Sequence, residues 1–220
     1  MPLKHGKNLY KLKFDLPDAK LWDLETPYLY QLHAAVLVNG TCIDRLARQF
    51  GMRSFTQDTE SPQRKGMFYL NGCSIRLRGA NTMGFEQQDV LRGDLPQLID
   101  DILLAKLCNM NFLRLTQRPV QDEVYEYCDK LGLMTQTDLP LFGVMRRFRV
   151  PEGIRQAEEL ARMVRKHPCN VVVSYINEPF PNANNEPHRH LLRPELENFF
   201  TCCDLVVKLS NPDQVIKHVD

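Results

Sequence analysis

The sequence predicts an α/β fold in which about five strands of a parallel (β/α)8 TIM barrel follow part of an antiparallel β-sandwich. Three observations support this prediction. Residues 75–220 alternate between short apolar runs and segments of helical periodicity, which is typical of parallel strands joined by helices. Polar residues stand directly after these runs, where a barrel carries its chemistry. Residues 8–56 show strand patterns and turn signals instead of helical periodicity.

Composition and charge exclude several functional classes. At 220 residues the chain can form a sizeable core, and 43% apolar with 25% charged residues is ordinary for a globular protein. The net charge of +1 provides no overall field for nucleic acid or an anionic membrane, and Arg146-Arg147-Phe148-Arg149 is interpreted as a solvated basic loop. No apolar run approaches the roughly 18 residues of a membrane span. We therefore expect no nucleic-acid partner and no membrane partner.

The seven cysteines indicate a reducing, cytoplasmic setting. Their number is odd, none has a zinc-ligand spacing, and Cys202 and Cys203 are adjacent, so they are interpreted as small apolar residues. Residues 1–7 lack the apolar segment of a signal peptide, although a missing N-terminus would hide one. His188 and His190 suit a loop better than a metal pair, so no metal site is predicted.

The N-terminal region is predicted to be β-structure. Residues 9–14 alternate in polarity, and residues 29–38 are rich in strand formers. Turn signals occur at residues 16–18, 26–27 and 39–40. Three or four strands are too few for a closed sandwich, so we expect this piece to lack its first strands. Trp22, the only tryptophan, is interpreted as core packing in preference to a sugar-binding platform.

From residue 59 onward, turn and helix signals define the remaining elements. Asn71-Gly72 predicts a hairpin with a type I′ turn, whose second arm continues to Asn81. Helices are predicted at residues 95–107, 120–131, 154–166 and 195–209. Asp94 is the expected N-cap of the first, and Gly132 is expected to end the second. Further strands are predicted at residues 112–116, 133–137, 171–176 and 214–219.

The strands from the hairpin onward make five, whereas a closed barrel needs eight strands and about 250 residues. An open doubly wound sheet would bring ligands to the same strand ends. However, no GxGxxG or GxxxxGK[ST] motif follows any strand, so no nucleotide and no other cofactor is predicted.

Four consecutive strands end in polar groups, which is how the active face of a barrel is built. These groups are Asn81, Thr116-Gln117, Asp138 and Asn177-Glu178. The strand before Asn177-Glu178 is apolar and β-branched, and Pro179 prevents its continuation. A plain strand that leaves Glu178 in solvent is the competing interpretation.

Several motifs follow one another along nearly the whole sequence, including Leu21-Trp22, Phe50-Gly51-Met52-Arg53, Leu77-Arg78-Gly79-Ala80-Asn81, Asn111-Phe112-Leu113-Arg114, Tyr127-Cys128-Asp129 and Ile176-Asn177-Glu178-Pro179. In this order they resemble glycoside hydrolase family 2, which includes β-galactosidases, β-glucuronidases and β-mannosidases. The resemblance implies part of an immunoglobulin-like β-sandwich over residues 1–58 and the N-terminal part of a catalytic barrel over residues 59–220. The family's jelly roll and last three barrel strands are not expected in these residues.

The resemblance also implies hydrolysis of β-linked O-glycosides with retention of configuration. Retaining glycosidases use two carboxyl groups about 5–5.5 Å apart, one as acid/base and one as nucleophile. The acid/base falls on Glu178, and Asn177 would hydrogen-bond the sugar 2-hydroxyl. The nucleophile belongs to a seventh strand, so the 220-residue chain alone is expected to be nearly inactive. An inactive half-barrel that acts as a carbohydrate-binding or interaction module is the alternative.

The remaining site residues follow from the same resemblance. Arg114 matches the arginine beside the nucleophile, and Asn81 and Asp138 would line the pocket floor as substrate-binding residues. Arg114 could equally form a structural pair with Asp138 or Glu178. Many members have a His after the second-strand Arg, where this chain has Gln117. Many also have a His close behind the first-strand Asn, where this chain has Thr82-Met83. The residues after the third strand offer at most one of the magnesium ligands of β-galactosidases. The identity of the sugar is therefore left open, and no metal is expected. An open barrel edge could also join two copies of the chain.

Overall fold

A computed structural model describes residues 5–143, 145–179 and 192–220. Within these residues the chain forms ten strands in three sheets, together with five α-helices. The order of elements passes from antiparallel pairs near the N-terminus to alternating parallel strands and helices, as the sequence predicts.

The N-terminal β-structure is a two-stranded antiparallel ribbon. It consists of β1 (Tyr30–Val38) and β2 (Thr41–Phe50). Asn39 and Gly40 connect them with φ angles of 49° and 82°, the conformation of a type I′ turn. Most residues of both strands are exposed, so the ribbon does not form a sandwich core by itself.

The predicted strand at residues 9–14 is wrong. These residues are exposed and form no ladder, because an alternating pattern becomes a strand only where a neighbouring strand receives its hydrogen bonds. Between residues 15 and 29 the structure has only isolated bridges, such as the one between Leu21 and Met52.

A second antiparallel sheet contains three short strands, β3 (Phe55–Gln57), β4 (Phe68–Leu70) and β5 (Cys73–Ile75). The predicted type I′ turn is confirmed, since Asn71 and Gly72 have φ angles of 50° and 80°. The second arm does not continue into the barrel as predicted. Asn111 interrupts it, because its side chain hydrogen-bonds the Arg78 N–H and the Arg76 carbonyl at 2.8 and 2.9 Å.

The third sheet is parallel, and its five strands are neighbours in the order in which they occur along the chain. They are β6 (Gly79–Thr82), β7 (Phe112–Leu115), β8 (Met134–Asp138), β9 (Asn170–Ile176) and β10 (Val215–Val219). Sequential parallel neighbours are the arrangement of a (β/α)8 barrel. The predicted five-stranded part of a barrel is thus confirmed.

Helices connect these strands. They are α1 (Phe85–Arg92), α2 (Leu95–Leu107), α3 (Asp122–Leu131), α4 (Val150–Val164) and α5 (Arg193–Ser210). Asp94 caps α2 by accepting a hydrogen bond from the Gln97 N–H, and Gly132 ends α3 with a φ of 70°, as predicted. The sequence analysis misses α1, a helix of eight mostly polar residues between Gly84 and Gly93. No described helix has the length and apolar character needed to cross a membrane.

The hydrophobic core lies between the parallel sheet and its helices. All seven residues of β9 are buried, and α3, α4 and α5 contribute buried faces through Tyr125, Leu160 and Phe199. The outer strands differ from β9, because Gly79, Ala80 and Asn81 of β6 are exposed. Among the described residues, β6 and β10 each leave one edge without a neighbouring strand.

Buried and partly buried hydrogen bonds connect the N-terminal segment to the barrel. Trp22 is fully buried, and its indole N–H donates to the Asp129 carbonyl at 2.7 Å. The Arg53 guanidinium donates to the Pro168 and Asn170 carbonyls at 2.9 and 2.7 Å. The interpretation of Trp22 as core packing is therefore correct.

Candidate active site

The carboxyl ends of β7, β8, β9 and β10 meet around the guanidinium of Arg114. Its Nε and Nη2 lie 3.0 and 2.7 Å from Oδ2 of Asp138. Nη2 also donates to Oδ1 of Asn177 at 3.0 Å and lies 3.4 Å from Oδ2 of Asp220. One cation thus contacts the ends of three other strands, and its side chain is only 13% exposed.

Asp138 accepts hydrogen bonds at both carboxylate oxygens. Oδ2 accepts from Arg114 and from the Gln117 backbone N–H at 3.0 Å, while Oδ1 accepts from Nε2 of Gln136 at 3.0 Å. The residue is 2% exposed. A carboxylate held in this way positions its neighbours well, but it has little freedom to receive a proton from a substrate.

Asn177 and Glu178 follow β9 directly. The backbone of Asn177 donates to the Leu141 carbonyl and accepts from the Gly143 N–H, which fixes the strand end. The Glu178 N–H donates to the Asp220 carbonyl at 2.9 Å, whereas its side chain is exposed. Glu178 has a φ of 48°, a left-handed conformation that costs a non-glycine residue about 1 kcal/mol or more. The surrounding hydrogen bonds hold it there.

The other two substrate-binding candidates lie on β6 and after β7. Asn81 is in register with Arg114, so both side chains point to the same face of the sheet. The Asn81 side chain is exposed and makes no hydrogen bond to the other described residues of the site. Gln117 also has a left-handed φ, 67°, and its N–H binds Asp138. The structure therefore brings Arg114, Gln117, Asp138 and Asn177 into one network and places Asn81 beside it.

Sequence reasoning missed Asp220 and Gln136. Oδ2 of Asp220 accepts from Nε2 of Gln136 at 2.6 Å, and Oδ1 pairs with the Lys217 ammonium. Asp220 directly follows the predicted fifth strand, so the rule that selected the first four strand ends would have found it. Gln136 is a polar residue within a buried strand, and a buried amide needs hydrogen-bond partners, so its position in the sequence could have indicated a site residue.

The described part of the chain contains no group of three or more His, Cys, Asp or Glu side chains that could hold a metal ion. His188 and His190 lie outside the described residues. In the basic loop, Arg147 pairs with Glu195 at 2.6 Å across an exposed surface. That contact occupies one of the arginines considered in the sequence analysis.

Comparison with known protein families identifies both parts of the chain. The model described as "Glycosyl hydrolases family 2" matches residues 2–53, and that described as "Glycosyl hydrolases family 2, TIM barrel domain" matches residues 63–194. Among curated proteins, one from Formosa agariphila named "Putative beta-glucuronidase" is 36% identical over 140 residues. A β-galactosidase from Erwinia tasmaniensis is 29% identical over 178 residues.

These relatives are much longer than the chain. The matches cover 62% and 76% of the chain but only 16% and 17% of the two relatives. Among solved structures, the β-glucuronidase of Parabacteroides merdae superposes with a TM-score of 0.72 at 19% identity. That superposition covers 90% of this chain and 24% of the other, and it establishes the likeness of the fold.

Proposed function

The chain belongs to glycosyl hydrolases family 2, since the family's barrel model covers more than half of it, and we propose that it is part of a retaining β-glycosidase with Glu178 as the general acid/base. One observation carries this proposal. Glu178 stands at the carboxyl end of β9 with an exposed carboxylate, directly beside the network formed by Arg114, Asp138 and Asn177. Of the three strand-end carboxylates, Asp138 and Asp220 are engaged by cations and amides, which leaves Glu178 available for proton transfer.

The proposed chemistry assigns two steps to Glu178. As an acid it gives its proton to the glycosidic oxygen while a carboxylate nucleophile attacks the sugar, and as a base it then takes a proton from the attacking water. The nucleophile is expected on a seventh barrel strand, outside residues 1–220. The 220-residue chain alone is therefore proposed to be nearly inactive.

Asn177 and Arg114 are proposed to position the sugar. Arg114 binds Oδ1 of Asn177, so the amide nitrogen Nδ2 is turned away from the guanidinium and can donate to a sugar hydroxyl. A hydrogen bond to the 2-hydroxyl strengthens as the oxocarbenium ion develops, which supports the transition state more than the ground state. Asn81, Gln117 and Asp138 are proposed to line the pocket around it.

The substrate class is a β-linked glycoside. The similar proteins are named for glucuronides and galactosides, and these two sugars differ in the configuration at C4 and in the oxidation state of C6. A panel of aryl β-glucuronide, β-galactoside, β-mannoside and β-glucoside, offered to a polypeptide that carries this chain together with a complete barrel, identifies the sugar.

The decisive test compares Glu178→Gln with Glu60→Gln in that polypeptide. Glu60 is exposed and remote from the strand ends, so its substitution controls for a lost surface charge. We expect Glu178→Gln to lower kcat about 10²- to 10⁴-fold for alkyl glycosides, whose leaving groups need a proton. The loss should be smaller for aryl glycosides with acidic phenols. An equal loss for both leaving groups would contradict the acid/base assignment.

If the complete-barrel polypeptide cleaves none of the panel but still binds the sugars, the chain is a carbohydrate-binding half-barrel.

Two further parts of the proposal concern self-association and cellular location. Self-association through the open edges of β6 and β10 is proposed because unpaired strand edges invite pairing, and a sharp monomer peak in size-exclusion chromatography at micromolar concentration would contradict it. The cytoplasmic location stays a prediction from cysteine usage.

A further inference from the structure

A cavity of about 330 Å³ opens at the carboxyl ends of β6 and β7. Its lining consists of Met83, Gly84, Thr116, Gln117 and Arg118. Arg118 carries the only charge among these five side chains. Any preference of the cavity for a charged ligand is therefore set by this guanidinium.

Arg118 has no counter-ion of its own. Among the described residues, its guanidinium makes no hydrogen bond and no ion pair, and the acidic group that it influences is Glu86. Glu86 is 4% exposed and makes no ion pair with Arg118, and burial raises the pKa of its carboxyl. The cavity thus contains a cation whose hydrogen-bond donors are unused.

Gly84 determines where this cation lies. Its φ is 91°, and Nη2 of Arg118 is 3.3 Å from the position that a Cβ would occupy. The absence of a side chain lets the guanidinium rest against the backbone at the cavity wall, where a larger residue would displace it. The position of the Arg118 guanidinium therefore depends on Gly84, in the loop between β6 and α1.

The cavity also shares a wall with the candidate active site. Gln117 is one of the residues that line the cavity, and its backbone N–H donates to Oδ2 of Asp138. A ligand bound near Asp138 can thus extend one of its substituents into the cavity.

We propose that the cavity is a subsite for an anionic substituent of the glycoside, with Arg118 as the residue that determines this specificity; the glycoside as ligand rests on the proposed function. The planar guanidinium matches the two oxygens of a carboxylate or a sulfate, and the Gln117 amide supplies a neutral hydrogen bond. The anion can belong to the sugar, as in a uronic acid, or to the leaving group, as in a carboxyphenyl glycoside.

The test measures binding of intact ligands to the polypeptide that carries this chain with a complete barrel, in its Glu178→Gln form. Three probes are titrated by calorimetry: phenyl β-glucoside, phenyl β-glucuronide and 4-carboxyphenyl β-glucoside. We expect one of the two anionic probes to bind about three- to tenfold more tightly than the neutral one. The preference should shrink when salt is raised from about 50 mM to about 500 mM, because the cation is exposed.

Two variants assign the preference to a residue. Arg118→Gln should equalise the three affinities without changing that of the neutral probe. Arg165→Gln removes the same charge from the exposed C-terminal end of α4, at the opposite end of the sheet, and should retain the preference. Thermal denaturation of both variants verifies that they are folded.

Several results would overturn the inference: equal affinities in the parent protein, a preference that survives Arg118→Gln, or no measurable binding of any probe. The hydrolase proposal is tested separately by turnover. An inactive protein that still prefers an anionic probe through Arg118 supports the subsite and refutes the hydrolase. An active one without this preference does the reverse.

Discussion

Arg114 holds a single oxygen of Asp138 between two of its nitrogens, with Nε and Nη2 at 3.0 and 2.7 Å from Oδ2. The contact joins β7 to β8, and the same guanidinium reaches the ends of β9 and β10 through Asn177 and Asp220. The structural pair considered from the sequence therefore exists. The guanidinium also orients Asn177, so the structural pair is compatible with the proposed role of Arg114 in positioning the sugar.

The first prediction concerns the strength of this contact. Arg114→Gln should lower the free energy of unfolding by about 3 kcal/mol, because it leaves the buried Asp138 carboxylate without its cation. The free energy of unfolding of Arg114→Lys should lie between those of the parent chain and of Arg114→Gln, since an ammonium cannot reach Asp138 and Asn177 together. Urea denaturation followed by circular dichroism measures both values.

A double variant is the control. In Arg114→Gln/Asp138→Asn the orphaned charge is removed as well, so stability should recover by at least about 1 kcal/mol relative to Arg114→Gln alone. Strict additivity of the two substitutions would show that the pair is not coupled.

A second prediction concerns pH. Burial raises the pKa of Glu86 above its ordinary value of 4.5, and Oε2 of this side chain has no partner among the described residues. The folded state thus keeps the proton to higher pH than the unfolded state does. The contribution of Glu86 to stability is greatest below about pH 4.5 and declines as pH rises through the folded-state pKa.

Glu86→Gln should remove this decline while preserving the acceptor for the Thr82 hydroxyl. We expect a gain of about 1 kcal/mol at pH 8 and no gain near pH 3, measured by urea denaturation at both pH values. Glu60→Gln, at an exposed position, should change neither value. A gain of the same size at both pH values would contradict the titration argument.

Much of the barrel could be predicted because burial imposes a period on the sequence. All seven residues of β9 are buried and the run from Val171 to Val173 is apolar, since both faces of the strand are covered, and helices such as α2 carry recognisable caps. The short polar helix α1 has no such period and was missed. Residues 9–14 have the period of a strand, but pairing depends on a partner that local sequence does not specify.

The site divides in the same way. The rule that polar groups follow barrel strands selected Asp138, Asn177 and Glu178 correctly as neighbours at one end of the sheet. It could not show that Gln136 would reach Asp220 across β9, because that contact depends on the register of three strands. It also could not show the unpaired guanidinium of Arg118, since an absence of partners is a property of the folded chain.

The third prediction tests the close approach of β6 to β7. A Cβ at Gly79 would lie 1.8 Å from the Phe112 carbonyl oxygen, so no side chain fits without moving one strand. Gly79→Ala should therefore cost about 2 kcal/mol and displace Asn81 from its register with Arg114. Ala80→Ser, at the exposed neighbouring position, should change stability by less than about 0.5 kcal/mol. Wild-type stability in Gly79→Ala would mean that β6 is free to shift.

The last prediction uses Trp22 as a probe of the junction between the N-terminal segment and the barrel. It is the only tryptophan in the chain, it is fully buried, and its N–H binds the Asp129 carbonyl. Its fluorescence therefore reports this junction, whereas far-ultraviolet circular dichroism reports the helices around the sheet. If the junction and the barrel unfold as one cooperative unit, the two urea transitions of the 220-residue chain coincide. Trp22→Phe removes the hydrogen bond and leaves a gap. The free energy of unfolding measured by circular dichroism should therefore fall by about 2 kcal/mol. A fluorescence transition at lower urea, with an unshifted circular dichroism transition in Trp22→Phe, would show instead that the N-terminal segment detaches before the barrel opens.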